Sequence, residues 1–383
     1  MPTSVPSAPS DSNRLLRVVI NGAHAKSGGG VTYLRRMLPE LARDKGIDVR
    51  LILHENQRAV FEPVPDGVQI VTFDYDPGFW RTLIWEQFSL PGIARRMGAD
   101  VLFSPANFGP VFARNHVILL RNATSVIRLT RRIAPLIYWL MLSVMTAVSL
   151  ITARRAIAVS DYAARILTFG LGALRRKKVS VVYHGTVPAP APRGDSEPAA
   201  NSLLAVSDIY IQKNYHTLVR AFAIVRQRHP DLVLTIVGRE IDSKYAESVR
   251  ALVRDLGVGD AVRFTGHVET AELSALYREC RVFVFPSTVE TFGNPLLEAM
   301  AAGVPIATSN TAAMPEVIGD CGLLFDPDNA DDMAARIGEL LDDPELGRTL
   351  GARAAERSGW FTWQETARRT LGVLRAAAGR EDG

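Results

Sequence analysis

Cysteine is nearly absent: Cys280 and Cys321 are the only two in 383 residues. Two thiols in apolar surroundings build neither a disulfide framework nor a thiolate metal cluster, and their scarcity fits a reducing compartment. Seven histidines show no ligand spacing. Charge of one sign is scarcely in excess, with 44 Lys and Arg against 40 Asp and Glu. No basic stripe interleaved with aromatics suggests single-stranded nucleic acid. Met1 to Asn13 is rich in Pro and Ser and lacks the charged-then-apolar pattern of a leader, so residues 1–13 are expected to form a flexible tail. What is present is 47% apolar and 22% charged residues, with 29 Gly and 22 Pro: a soluble globular composition of a length suited to two domains.

One long apolar run needs its own reading. From Ile133 to Ala153 the chain carries no charge, between Arg131, Arg132 and Arg154, Arg155. Its length meets the crude criterion for a membrane span. Pro135 and the hydroxyls Ser143, Thr146, Ser149 and Thr152 argue instead for a helix packed beside a sheet. Docking on a membrane surface is the third reading. Arg128 with its neighbours, and Arg175, Arg176, Lys177 and Lys178, are basic patches that suit phosphate-bearing ligands, anionic membrane or plain solvent.

Short apolar runs alternate with helical stripes. Leu15 to Asn21 reads as a parallel strand covered on both faces, followed by a helix from Val31 to Ala42. Further strands are expected at Val49 to Leu53, Val68 to Phe73, Val101 to Phe103, Val117 to Leu120, Ala156 to Val159 and Val179 to Val182. Ser160 caps a helix from Tyr162. Residues 186–201 hold four prolines and read as a linker. A second series follows, with strands at Ser202 to Val206, Leu232 to Val237, Val262 to Thr265 and Val282 to Pro286, and a last helix after Gly359. The expectation is α/β, with domains at 14–185 and 202–358, a cleft between the carboxyl edges of two parallel sheets, and a C-terminal segment 359–383 returning to the first domain.

Two loops carry candidate chemistry. Gly28 to Gly30 opens a helix directly after a strand, allowing close backbone approach to an anion at the helix start. It is no G-x-G-x-x-G, and a tight turn explains it equally. Glu290 lies in the loop after the strand at Val282, and Asn294-Pro295 starts the helix that carries Glu298. The two carboxylates can grip sugar hydroxyls, divide acid and base roles, or merely stabilise a helix start.

The stretch Phe285 to Ala307, FPSTVETFGNPLLEAMAAGVPIA, resembles the signature of retaining, nucleotide-sugar-dependent glycosyltransferases of family 4, with Glu290 and Glu298 at its two glutamates. The resemblance extends through Ser27 to Leu41, Val159-Ser160, Val182 to Gly185, Lys213-Asn214, Gly238, Phe264 to Gly266 and Pro315-Glu316. It implies a GT-B fold, two Rossmann-like α/β/α domains facing each other across a cleft. It also implies a nucleoside-diphosphate sugar as co-substrate, a glycan or lipid-linked acceptor, no cofactor and no essential metal. Gly29 and Gly30 would lie beneath the donor phosphates, and Lys213 would neutralise the diphosphate. Glu290 would meet the donor sugar, Glu298 the ribose, and the backbone of Phe292, Gly293, Asn294 and Pro295 would cover sugar and phosphate. Candidate acceptor contacts are His24, Tyr33, Asn122 and His184. The sequence departs from the pattern in three places. Asp208 stands where an arginine usually pairs with the lysine, leaving Arg239 as the candidate substitute. Arg121-Asn122 stands at the usual His-Asp, with Arg121 as a candidate sugar or phosphate contact. Asn294 replaces a commonly apolar residue. The expected protein is a cytoplasmic hexosyltransferase of cell-surface polysaccharide or lipopolysaccharide synthesis, peripheral to the inner face of the membrane. The competing expectations are a sugar-nucleotide epimerase, and an inactive nucleotide-sugar-binding protein of the same fold.

Overall fold

The computed structural model describes residues 14–26, 28–76, 78–122, 133–186 and 201–380. The expected tail at 1–13 and nearly all of the linker lie outside them. In chain order the elements are β1 Leu16–Asn21, α1 Gly29–Ala42, β2 Ile47–His54, β3 Val68–Phe73, α2 Phe79–Phe88, α3 Leu90–Arg96, β4 Val101–Ser104, β5 His116–Leu120, α4 Ile133–Thr152, β6 Arg155–Ala158, α5 Asp161–Leu167, α6 Gly172–Lys178 and β7 Val179–Val181. Then come β8 Ser202–Val206, α7 Tyr215–Arg226, β9 Val233–Val237, α8 Ser243–Asp255, β10 Val262–Gly266, α9 Thr270–Glu279, β11 Val282–Phe285, α10 Asn294–Ala302, β12 Ile306–Ser309, α11 Met314–Ile318, β13 Leu323–Phe325, α12 Ala330–Asp342, α13 Pro344–Ser358 and α14 Trp363–Ala377.

Two compact units emerge. The first takes the chain to Leu119, Val148–Ile157, and Ala367 onward; the second takes Leu120–Ala147 and Ala158–Thr366. In the first unit the strand order is β3-β2-β1-β4-β5-β6, with parallel pairing from β3 through β5. Near-continuous β-branched sequence makes β1 a strand buried on both faces, and Val18, Val19 and Ile20 have no exposed surface. The second unit holds a parallel six-stranded sheet ordered β10-β9-β8-β11-β12-β13, with a core in which Leu218, Phe222, Ile236 and Ile337 are fully buried. Both orders wind outward from their first strand and then reverse. That reversal places a switch point between β1 and β4, and another between β8 and β11, where open α/β sheets receive ligands at their carboxyl edge.

Several element bounds differ from the sequence expectation for local reasons. The last helix begins at Trp363, not Gly359, because the Thr362 hydroxyl accepts the Glu365 amide at 3.2 Å and sets the cap there. Within the first unit, α14 is fastened by Arg375 Nη2 to Asp44 Oδ2 at 2.9 Å. Helix α1 starts at Gly29, since Gly28 at φ 61° already turns the chain.

The apolar run forms α4. Thr146 and Ser149 face inward, Thr146 Oγ1 donating to the Leu142 carbonyl at 2.7 Å and so bonded without an outside partner. The opposite face, with Ile137, Leu140, Val144, Val148 and Ile151, is exposed. Among the described residues, no helix is long and apolar enough to cross a membrane.

Candidate active site

The switch point of the second unit gathers the residues singled out in its sequence. After β8 the chain makes a one-turn 3-10 helix, Ile211–Lys213, ended by Asn214 in the left-handed region at φ 56°. Asparagine tolerates that conformation, and its Nδ2 donates to the Pro286 and Pro327 carbonyls at 3.2 and 2.7 Å. The loop after β11 is bound to this turn by the Thr288 amide, which donates to Gln212 O at 2.9 Å. Two loops from neighbouring strands are thus one structure, and across it Lys213 Nζ donates to Glu290 Oε1.

Lys213 is 6% exposed, its ammonium 5.3 Å from the Tyr210 ring centroid and 5.8 Å from that of Phe285. Burial pulls its pKa down, but the charge of Glu290 and the nearby Tyr210 outweigh burial and raise it above the ordinary lysine value. The result is a permanent cation on an apolar floor, with one carboxylate as its counter-ion. Asp208, also after β8, accepts from the Arg239 amide at 2.9 Å, from Nε at 3.3 Å and from Nη2 at 3.0 Å. Burial works against the Asp208 charge, yet Arg239 and Lys213 hold its carboxyl below the usual range. Asp208, after β8, thus anchors a half-exposed guanidinium supplied after β9.

Gly293, at φ 91°, starts α10 without a side-chain cap, leaving the helix start open to an anion. A Cβ there would meet the Phe285 ring at 3.2 Å. Glu298 is exposed on α10, its Oε2 accepting from Tyr277 OH at 3.1 Å. Asn294 Oδ1 lies 3.2 Å from His184 Nδ1. Phe292 is 2% exposed and packs against Tyr183, His184 and Phe361, so its backbone rather than its ring is what a ligand could reach. The loop is tied further by Ser160 Oγ donating to Thr291 O at 2.5 Å, and by Thr291 Oγ1 donating to the Arg121 carbonyl. Glu316 accepts the amides of Asp161 and Tyr162 at 2.6 and 3.0 Å.

In the first unit the switch point holds His24 and Gly28 to Gly30 after β1. His24 Nε2 lies 3.0 Å from Glu86 Oε2, and Asn21 Nδ2 donates to Glu86 Oε1 at 2.5 Å. Glu86 has no exposed surface. It was missed in the sequence because a lone acid in an apolar helix carries no spacing signal. A Cβ at Gly28 or Gly29 would touch nothing within 4 Å, so the loop is open there. Tyr33 corrects the expectation. It is 2% exposed and lies on the buried face of α1 with Leu34, Met37 and Leu38, in the core rather than at an acceptor surface. Asn122 is exposed.

Two buried histidines predict the acid limb of stability. Burial lowers His184 to about 4, against a smaller raising effect of Asn294, and lowers His116 to about 3. Each then takes up its proton in the unfolded chain first, so stability falls as pH drops through 6.5 and levels off only below the folded values. Between pH 7 and pH 5 the loss should be about 2 kcal/mol per histidine. Urea unfolding at the two pH values, repeated with His184→Asn and His116→Gln, checks it: each variant should show a shallower fall.

Two family models match successive parts of the chain. The family model described as "Glycosyl transferases group 1" matches residues 194–357, and "Glycosyltransferase Family 4" matches residues 27–189. The chain is 33% identical over 168 residues to O-antigen chain mannosyltransferase B of Escherichia coli, covering 43% of each protein. It is 37% identical over 191 residues to D-inositol 3-phosphate glycosyltransferase of Pseudarthrobacter chlorophenolicus, covering 49% of this chain and 45% of that one. These matches span less than half the length of the relatives. Among solved structures, HepE of Anabaena in complex with UDP aligns with a TM-score of 0.74 at 17% identity, over 94% of this chain and 100% of that one. Sucrose-phosphate synthase of Thermosynechococcus elongatus aligns with a TM-score of 0.71 at 21% identity, over 94% and 98%. The fold is GT-B, and the chain belongs to glycosyltransferase family 4.

Proposed function

We propose that this chain moves a hexose-type sugar from a nucleoside-diphosphate sugar to a hydroxyl of a glycan or lipid-linked acceptor, with retention at the anomeric carbon. The pathway we infer is cell-surface polysaccharide or lipopolysaccharide synthesis. The observation that carries this reading is the Lys213–Glu290 pair at the switch point of the second sheet, within a family-matched segment. Mannosyltransferases among the relatives and UDP in a structural neighbour support it.

In this reading Lys213 and Arg239 receive the diphosphate, and the open start of α10 adds backbone amides. The bond between the anomeric carbon and the diphosphate oxygen breaks, its electron pair leaving with the diphosphate. The acceptor oxygen bonds to the same face and its proton passes to the departing diphosphate. Negative charge grows on the leaving group, where a fixed cation on an apolar floor stabilises it most. Glu290 holds Lys213 and meets the sugar, and Glu298 receives the ribose. His24, steadied by Glu86, is the acceptor-side candidate of the first unit, and Gly29 and Gly30 are its donor-phosphate candidates. The protein works without a resident metal, at the cytoplasmic face of a membrane.

Asp208 in place of an arginine favours a second reading, nucleotide-sugar binding or epimerisation without transfer. The test is a thermal-shift screen of UDP-, GDP- and dTDP-sugars, followed by product analysis. Transfer predicts nucleoside diphosphate released in step with a glycosylated acceptor. An epimer, or free sugar in equal amount without acceptor, overturns it. Arg239→Ala should weaken donor binding about 10- to 100-fold through loss of a charged hydrogen bond, with little change in unfolding, because its ion pair with Asp208 is half exposed. Calorimetric titration of the donor measures the first and urea unfolding the second.

A further inference from the structure

We propose that α2, Phe112 and the outer face of the end of α4 form one apolar surface that docks on an anionic lipid bilayer. This deepens the reading above by naming the partner and the surface, and it rests on that reading only for the acceptor being lipid-linked. Trp80, Ile84 and Phe88 recur every four residues along one face of α2 and are 62, 58 and 73% exposed. Phe112, 67% exposed, lies with its ring centroid 6.3 Å from that of Phe88. The segment bearing Phe112 is held to both helices. Gln87 of α2 donates to Gly109 O at 3.1 Å and accepts the Val111 amide at 3.0 Å. The Gly109 amide donates to Ser149 Oγ of α4 at 3.3 Å. Val148 and Ile151, at the end of α4, continue the surface and are 43 and 60% exposed.

Single exposed apolar side chains are ordinary, but a contiguous face of this extent in a water-soluble composition marks an interface. The rim chooses the partner. From Gly78 to Leu119 and from Val148 to Ile157 the chain has six arginines (81, 95, 96, 114, 154, 155) and two acids. Of those acids Glu86 is fully buried and Asp100 is ion-paired to Arg14. Arg81 is paired with Asp76, while Arg114 and Arg154 are exposed beside Phe112 and Ile151. A second copy would bring arginine against arginine. Anionic headgroups complement the rim, and the apolar faces of two helices suit the boundary between headgroups and acyl chains. An exposed tryptophan at such a boundary is also expected.

The experiment is co-sedimentation of the full chain with extruded vesicles of phosphatidylcholine alone and with a quarter phosphatidylglycerol. Binding to the anionic vesicles should exceed that to the neutral ones at least tenfold, with a blue shift of tryptophan emission. The triple variant Phe88→Ser, Phe112→Ser, Ile151→Ser should lose most of it. Arg114→Ser with Arg154→Ser should lose the preference for anionic lipid. Wild type and variants should keep equal donor-induced thermal shifts, which separates failure of docking from failure of the donor site. Absence of vesicle binding, equal binding by the triple variant, or a dimer in light scattering that the triple variant dissolves would overturn the proposal.

Discussion

Replacing Lys213 with alanine should lower the transfer rate by about 10²- to 10³-fold, the usual cost of removing one preorganised charge from a developing oxyanion. The ammonium is nearly buried, sits over two aromatic rings and is hydrogen-bonded to Glu290. Water therefore cannot replace it cheaply. The same substitution leaves the Glu290 carboxylate, whose side chain is 16% exposed, without its counter-ion. Breaking such a pair destabilises by about 3–5 kcal/mol. The two effects separate in the double variant Lys213→Ala with Glu290→Gln, which removes both charges. It should recover much of the stability and none of the rate. Single-turnover kinetics with urea unfolding on wild type and the two variants makes the measurement. Transfer by Lys213→Ala within threefold of wild type would remove Lys213 from the chemistry.

Substituting Gly238 with alanine should cost about 3–5 kcal/mol of stability in the second unit and weaken donor binding about as much as Arg239→Ala does. Gly238 follows β9 at φ 150°, and a Cβ there would lie 2.0 Å from Ser207 O and 2.8 Å from the Asp208 amide. These are backbone atoms of the adjacent strand end and cannot swing aside as a side chain would. Overpacking costs about 1–3 kcal/mol and an unfavourable backbone conformation adds about 1–3 kcal/mol. Relief would have to move the segment that carries Asp208 away from Arg239, opening the ion pair that aims the guanidinium. Donor titration on the folded fraction, alongside urea unfolding, tests both parts. Wild-type affinity in Gly238→Ala would mean that the Asp208–Arg239 geometry does not matter.

Much of this arrangement was legible in the chain because strand interiors write themselves plainly. Ser202–Val206 and Val68–Phe73 were bounded as the structure has them, since short runs rich in apolar residues between turn residues allow little else. Ser160 was readable as a cap, and its hydroxyl accepts the Ala163 amide at 2.9 Å. Strands β12 and β13, with four and three residues, are too short to show a period. Lys213 and Glu290 are 77 positions apart, and nothing local says that they touch; the strand order does that, by making β8 and β11 neighbours. Tyr33 was misplaced although the stripe of α1 pointed inward at that position. A phenol beside a glycine loop invites a ligand reading, and helix periodicity was the better guide.

The first unit is not a continuous stretch of chain. It is completed by Ala367 onward, where Leu374 is wholly enclosed and Arg375 clasps Asp44. A ribosome making this protein must therefore deliver the chain through α14 before its earliest strands gain their final cover. Nascent chains stalled ahead of that point should expose this flank to chaperones, whereas the six-stranded sheet of the second unit has by then all of its strands.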